Sequence, residues 1–401
     1  MPDLLGAPAV VLANGQLDTL FGKTTHGLVR GPSRFRIVAV VDAEHAGCDA
    51  GTVIDGRARG IPVVASLAAA LGSKPRPSVC VIGVATKGGV LPEAVRCDLL
   101  DAAKAGLALV NGLHCHLADD PEIAAAAAAS GARLLDIRRS KPATALRFWS
   151  GEVLDLEVPR IAVLGTDCAV GKRTTASLLR LALAAHGLGA EVVFTGQTGY
   201  LQGYRHGFFL DATPNDFVSG ELEGAVLASA RECRPAVILI EGQASLRNPS
   251  GPCGAELLLS AAPAGVVLQI VPGRRFFEGL EARRLAIPST ASEIALVEAY
   301  GVPVLALAVN AEGLEAGAAQ RLCEQLEHTH GIPAALPWVD GVDRLAHALC
   351  ARLNLTLTTR QEAGTQQKAG TQQEAGTQQE AGTQQKAGTQ QKAGTQQEAP
   401  A

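Results

Sequence analysis

The stretch "RIAVLGTDCAVGKRTTASLLRLALAAHG", Arg160–Gly187, decides the fold. An apolar run ends in Gly165, a short glycine-bounded loop follows, and then come residues with helical apolar spacing. In the order strand, loop, helix, backbone N–H groups and a helix N-terminus surround an anion, most often a phosphate. Lys172 stands after Gly171, where phosphate loops carry their lysine. The next residue in such loops is Ser or Thr, whose hydroxyl holds Mg²⁺. Here it is Arg173, with Thr174 and Thr175 one place late. A guanidinium offers a fork of donors matched to phosphate and can neutralise a pyrophosphate without a metal ion, while Thr174 or Thr175 can still reach a metal if the loop is one residue longer.

Outward from the loop, β-rich runs alternate with helical ones in both directions. Before it lie "RIVAVVD" (Arg36–Asp42), "IPVVAS" (Ile61–Ser66), "SVCVIGVA" (Ser78–Ala85), "GLALVNG" (Gly106–Gly112) and "ARLLDIR" (Ala132–Arg138), and "MPDLLGAPAVVLANG" reads as a first strand. After it lie "AEVVFTGQTG" (Ala190–Gly199), "AVILIEGQ" (Ala236–Gln243), "AGVVLQIV" (Ala264–Val271) and "VPVLALAVN" (Val302–Asn310). Ala-rich segments with helical spacing separate them. Alternation of this kind predicts parallel sheets with helices on both faces. The chain divides near residues 150–158 into a Rossmann-like α/β domain (1–150) and a phosphate-loop domain (158–357). From Glu362 the sequence repeats "EAGTQQ" or "KAGTQQ". A tail over 361–401 of that composition cannot bury enough apolar surface to offset its ordering entropy and is expected to be disordered.

A net charge of −4, a pI near 6.2 and 3% aromatic residues argue against nucleic acid as a partner. Nine cysteines without a Cys-x-x-Cys pair read as free thiols in a reducing, cytoplasmic setting, with no metal site. No apolar run reaches about 18 residues, so no membrane span is expected.

"GTDCAVGK" with "EGQAS" resembles the phosphate loop and strand end of dethiobiotin synthetase. It is more similar to a family of P-loop N-acetyltransferases that acetylate D-glutamate, long classed as a domain of unknown function. The likeness extends through "GKTTHGLVR" (Gly22–Arg30), "GLHCHLADDPE" (Gly112–Glu122), "DIRRSKP" (Asp136–Pro142), "DFVSGELE" (Asp216–Glu223) and "IEGQASL" (Ile240–Leu246). Where that family has glycine, this chain has Ala244. The resemblance implies acetyl-CoA as co-substrate and a small acidic amino acid as acceptor; a homo-oligomer is also expected.

Gly165, Thr166, Asp167, Gly171, Lys172, Arg173, Thr174 and Thr175 are then the candidates for holding CoA. Asn310, at a strand end, is a candidate for reading its adenine. Acetyl transfer needs a base for the acceptor ammonium and cations for its carboxylates. His26, His114 and Glu241 are the candidate catalytic groups; Lys23, Arg30, His116, Arg205, Ser219 and Gln243 are the candidate acceptor contacts. Ser219 also reads as a helix N-cap. Cys168 reads as packing, because direct transfer needs no acyl-enzyme. The alternatives are an ATP- and Mg²⁺-dependent ligase, with Glu241 at the metal, and a non-catalytic nucleotide-binding module.

Overall fold

The computed structural model describes residues 4–315 and 317–357; the repeats of the tail lie outside the described residues. The first domain runs β1 (Pro8–Leu12), α1 (Lys23–Arg30), β2 (Arg36–Val41), α2 (Ala50–Asp55), β3 (Val63–Val64), α3 (Leu67–Leu71), β4 (Val79–Ile82), α4 (Glu93–Lys104), β5 (Ala108–Asn111), α5 (Pro121–Ser130) and β6 (Leu134–Asp136). The second runs β7 (Arg160–Gly165), α6 (Lys172–Ala185), β8 (Ala190–Val193), α7 (Gln197–Leu201), α8 (Asn215–Cys233), β9 (Val237–Glu241) and α9 (Ala255–Ser260). It continues through β10 (Gly265–Ile270), α10 (Thr290–Ala299), β11 (Val304–Val309), α11 (Ala318–His330), β12 (Ala334–Ala335) and α12 (Asp343–Leu353). Among the described residues no helix is long and apolar enough to cross a membrane.

Each domain holds one parallel six-stranded sheet, in the orders β3-β2-β1-β4-β5-β6 and β12-β11-β10-β7-β9-β8. The first is the Rossmann order; in both, the first strand of the domain lies inside the sheet, where ligand crevices open beyond the carboxyl ends. Strand alternation builds a core on each face. Ala9 and Val11 of β1 enter one cluster, Val10 and Leu12 the other. Ile161 and Val163 of β7 face α6 and α12, while Ala162 and Leu164 face α8 and α9.

Two devices join the domains. Helix α7 leaves the second sheet and buries Leu201 among Leu28 and Val29 in the first domain's core. Arg34 clamps it: its N–H donates to the Leu201 carbonyl (2.8 Å), its Nε to that of Tyr200 (3.0 Å). The connecting segment is tied by two buried glutamates of α8. Glu221 accepts from Lys141 Nζ (2.5 Å), and Glu223 accepts from the N–H groups of Ser150 (2.6 Å) and Val153 (3.2 Å). Burial works against the Glu223 charge, but these donors outweigh it and hold the carboxyl below its ordinary value.

Candidate functional site

The loop after β7 is braced from beneath. The Asp167 carboxylate, fully buried, accepts from Asn248 Nδ2 (2.9 Å), Arg274 Nη1 (3.0 Å) and the Glu278 N–H (2.8 Å). Asn310 Nδ2 donates to the Val170 carbonyl (3.1 Å), and its Oδ1 accepts from the Glu312 N–H (3.0 Å). Thr175 Oγ1 donates to Gln269 Oε1, and the Thr166 N–H to the Gln269 carbonyl. Asp167 and Asn310 are thus engaged in shaping the loop itself. Gly171, the N-cap of α6, has no side-chain cap, and first-turn N–H groups lack intrahelical acceptors. Lys172 Nζ donates to the carbonyls of Asp167 (2.7 Å) and Ala244 (2.6 Å). Burial pulls its pKa down to about 8, against the opposing pull of Cys168 and Asp167.

Arg173 points elsewhere. Its guanidinium crosses the seam towards α1, with Nη2 3.0 Å from where a Cβ on Gly27 would sit. Thr198 Cγ2 is 2.6 Å from that same point, so only glycine lets α1 come this close. Behind Arg173 is Glu241, buried, its Oε2 accepting from the Thr195 N–H (3.2 Å). Burial raises the Glu241 carboxyl, and Arg173 partly offsets this. The segment "KTTHGLVR" is helix α1, wedged in the seam, and not the surface loop that its charges alone would suggest. Lys23 at its start is close enough to act electrostatically on Cys168 in the phosphate loop, whose thiol is pushed up chiefly by burial. One turn on, His26 Nε2 donates to the Leu17 carbonyl (2.7 Å), which leaves Nδ1 with the lone pair. Burial lowers the His26 pKa, the Leu17 bond opposes, and Arg30 and Arg173 lower it further. Arg30 Nε donates to Asp55 Oδ2 (2.9 Å), and its guanidinium lies 5.2 Å from the ring centre of Trp338 in the second domain.

Lys23, His26, Arg30, Lys172, Arg173 and Glu241 therefore gather where the loops of both sheets meet. The other candidates are distributed differently. Gln243 Nε2 donates to the Thr195 carbonyl (2.5 Å) beside Glu241. His114 and His116 follow β5 in a loop, not a strand. His114 Nε2 accepts from Arg138 Nη1 (2.8 Å), and Arg138 Nη2 pairs with Asp211 (3.0 Å) from the second domain. His116 Nδ1 meets Asp119 (3.3 Å). Arg205, two-thirds exposed at 65%, pairs with Glu232 (2.6 Å) at the far end of α8. Ser219 lies one turn inside α8, which starts at Asn215 after Pro214, and accepts from Ser260 Oγ (2.8 Å) on α9. It is not an N-cap, because Pro214 already stops the preceding chain and starts the helix earlier.

Five further side chains in this region were not singled out as candidates from the sequence. Gln197, whose Nε2 is 3.4 Å from Thr24 Oγ1, fits only because residue 112 is glycine: a Cβ there would lie 1.6 Å from Gln197 Oε1. Thr24 and Thr198 face each other across the seam at 3.4 Å. Gln269 and Trp338 flank Gly171. "TGQTG" after a strand marked the Gln197 segment; nothing local marks Trp338.

Two family models cover most of the described chain. Residues 43–140 match a domain of unknown function, DUF1611_N, described as Rossmann-like, and residues 147–346 match DUF1611_C, described as a P-loop domain. A protein of Pseudoalteromonas sp. named D-glutamate N-acetyltransferase is 31% identical over 288 residues, 71% of this chain and 83% of its own length. The chain belongs to the DUF1611 family. A second relative of that name, from Tritonibacter scottomollicae, is 31% identical over 281 residues, covering 68% of this chain and 80% of its own. The crystal structure of a DUF1611 protein from Anabaena variabilis superposes with a TM-score of 0.78 at 32% identity, over 86% of this chain and 99% of the other. Against the glycine expected of a DUF1611 protein, Ala244 has φ +38°, in the left-handed region that glycine occupies without strain. Its carbonyl accepts from Lys172 (2.6 Å).

Proposed function

We propose that this chain is an acetyl-CoA-dependent N-acetyltransferase whose acceptor is an acidic amino acid, with D-glutamate suggested by the name of its relatives. The observation that carries the reading is the meeting of a phosphate loop with the cationic face of α1. The pyrophosphate of CoA rests on the α6 N-terminus and Lys172. Lys23, Arg30 and Arg173 bind the acceptor carboxylates, so Arg173 serves the acceptor side of the seam rather than the pyrophosphate. His26 Nδ1 takes a proton from the acceptor ammonium; the freed amine nitrogen bonds to the thioester carbonyl carbon, the carbon–sulfur bond breaks, and a second nitrogen proton passes to the leaving thiolate, which departs as CoA thiol. Among the histidine candidates, His26 suits this better than His114, whose Nε2 lone pair is already used by Arg138.

The test is free-thiol release from acetyl-CoA with a panel of D- and L-amino acids, with EDTA and with Mg²⁺. Release with acidic amino acids that survives EDTA supports the reading. Turnover only with ATP and Mg²⁺ overturns it in favour of a ligase, and no turnover with any acceptor overturns it in favour of a non-catalytic nucleotide-binding module.

A further inference from the structure

Trp338 follows the short edge strand β12 and is 37% exposed. Its indole Nε1 is 3.5 Å, and its Cζ2 3.8 Å, from the point where a Cβ on Gly171 would sit. The N–H edge of a large aromatic ring thus stands beside the turn that opens α6. Beneath the same glycine is Gln269, fully buried, whose Nε2 has no hydrogen-bond partner among the described residues while its Oε1 accepts from Thr175. A buried amide donor left open at a phosphate loop is costly unless something polar is bound above it. The ring face already attracts a planar cation, since the Arg30 guanidinium lies over it.

Resting on the acetyl-CoA reading, we propose that Trp338 is the stacking platform for the adenine of CoA. A purine tethered by a few bonds to a pyrophosphate on the α6 N-terminus reaches the indole beside Gly171. Stacking there is tolerant of base identity because it uses the π-face. The base takes the place of the Arg30 guanidinium and releases that side chain to the acceptor carboxylate. Asn310 then holds the loop, and Trp338 takes the base.

The chain has two tryptophans, so Trp149→Phe leaves Trp338 as the sole indole reporter. In that background CoA should quench the emission, and phosphopantetheine, which lacks the base, should not. Trp338→Ala should raise the KM for acetyl-CoA roughly 5- to 100-fold with kcat little changed, by the usual worth of base–aromatic stacking. It should leave the KM for S-acetyl-phosphopantetheine unchanged, and Trp338→Phe should restore most of the loss. An equal rise for both acyl donors would make Trp338 a structural clasp only and overturn the proposal, as would an unchanged KM for acetyl-CoA. If the wild-type protein binds no CoA in calorimetry, the acetyltransferase reading falls as well. If CoA binds wild type and Trp338→Ala alike, only the platform falls.

Discussion

The two domains open in the same way and then diverge. Each begins with a strand inside a parallel sheet, a loop, and a helix at the seam. In the first domain the acid after β2, Asp42, is fully buried and accepts from the N–H groups of Gly15 (2.9 Å), Leu17 (3.2 Å) and Glu44 (3.2 Å). In dinucleotide-binding Rossmann domains an acid in this region holds a ribose. Here it is consumed by the β1–α1 loop, and the loop in turn aims α1 with its cationic side chains across the seam. In the second domain the brace comes from below, through Asp167 and Asn310, and the first turn of α6 is left open above. One opening has closed on itself to present side chains; the other leaves the first helical turn without a side-chain cap.

This contrast can be tested by substitutions that should separate chemistry from anchoring. The largest effect is expected for His26→Gln, which should lower kcat by roughly 10²- to 10⁴-fold, the usual worth of a general base, while CoA affinity measured by calorimetry stays near wild type. In the wild type, the acid limb of kcat/KM should fall below the ordinary imidazole value of about 6.5, because burial lowers the His26 pKa. The same shift makes the unfolded chain the better proton binder below that pH. The His26 contribution to stability is therefore intact above about pH 6.5 and lost as pH falls towards the folded value. An acid limb above pH 7 would take the base away from His26.

Asp42→Ala should act on folding, not on the anion. Stranding the buried N–H groups of Gly15, Leu17 and Glu44 should cost about 3 kcal/mol, which lowers the midpoint of a unit of this size by roughly 4 °C. Folded protein at low temperature should still bind CoA. Binding lost in proportion to stability would mean the two openings are one unit. Lys172→Ala should do the reverse: CoA affinity falls roughly 10- to 100-fold, the worth of a charge-assisted contact of about 1.5–3 kcal/mol, with a midpoint close to wild type. An unchanged dissociation constant would remove the loop from the cofactor site.

The smallest effect is expected for Ala244→Gly. Relief of a left-handed alanine is worth about 1 kcal/mol, so the midpoint should rise by about one degree, with CoA binding preserved because the Lys172 contact is to the backbone. A fall in the midpoint would show that the Ala244 methyl packs usefully.

The strands and the phosphate loop were legible because periodicity and the Gly–Lys spacing are local signals. Apart from the two-residue β12, every strand lies within a run read from sequence. The helical nature of α1 was not, since "KTTHGLVR" has only Leu28 and Val29 as large apolar residues and both are buried against distant chain, including Leu201. Site residues followed the same rule. Lys172 and Arg173 were marked by their neighbours in sequence, but the direction of Arg173 depends on Gly27, some 146 positions away, and on Thr198. Trp338 and Gln269 owe their positions to the order of strands in the sheet. Arg205 and Ser219 were singled out where polar residues cluster, and their partners, Glu232 and Ser260, come from other segments.

Helix α7 bears on how the molecule is assembled in time. Leu201 belongs to the second domain by sequence and to the first by packing. A ribosome that has released only residues 1–150 has made a core with one large side chain missing. Filling such a gap is worth about 2–5 kcal/mol, a large part of the margin by which a domain is stable. The first domain must therefore wait for the second, and the two should melt together in one cooperative transition.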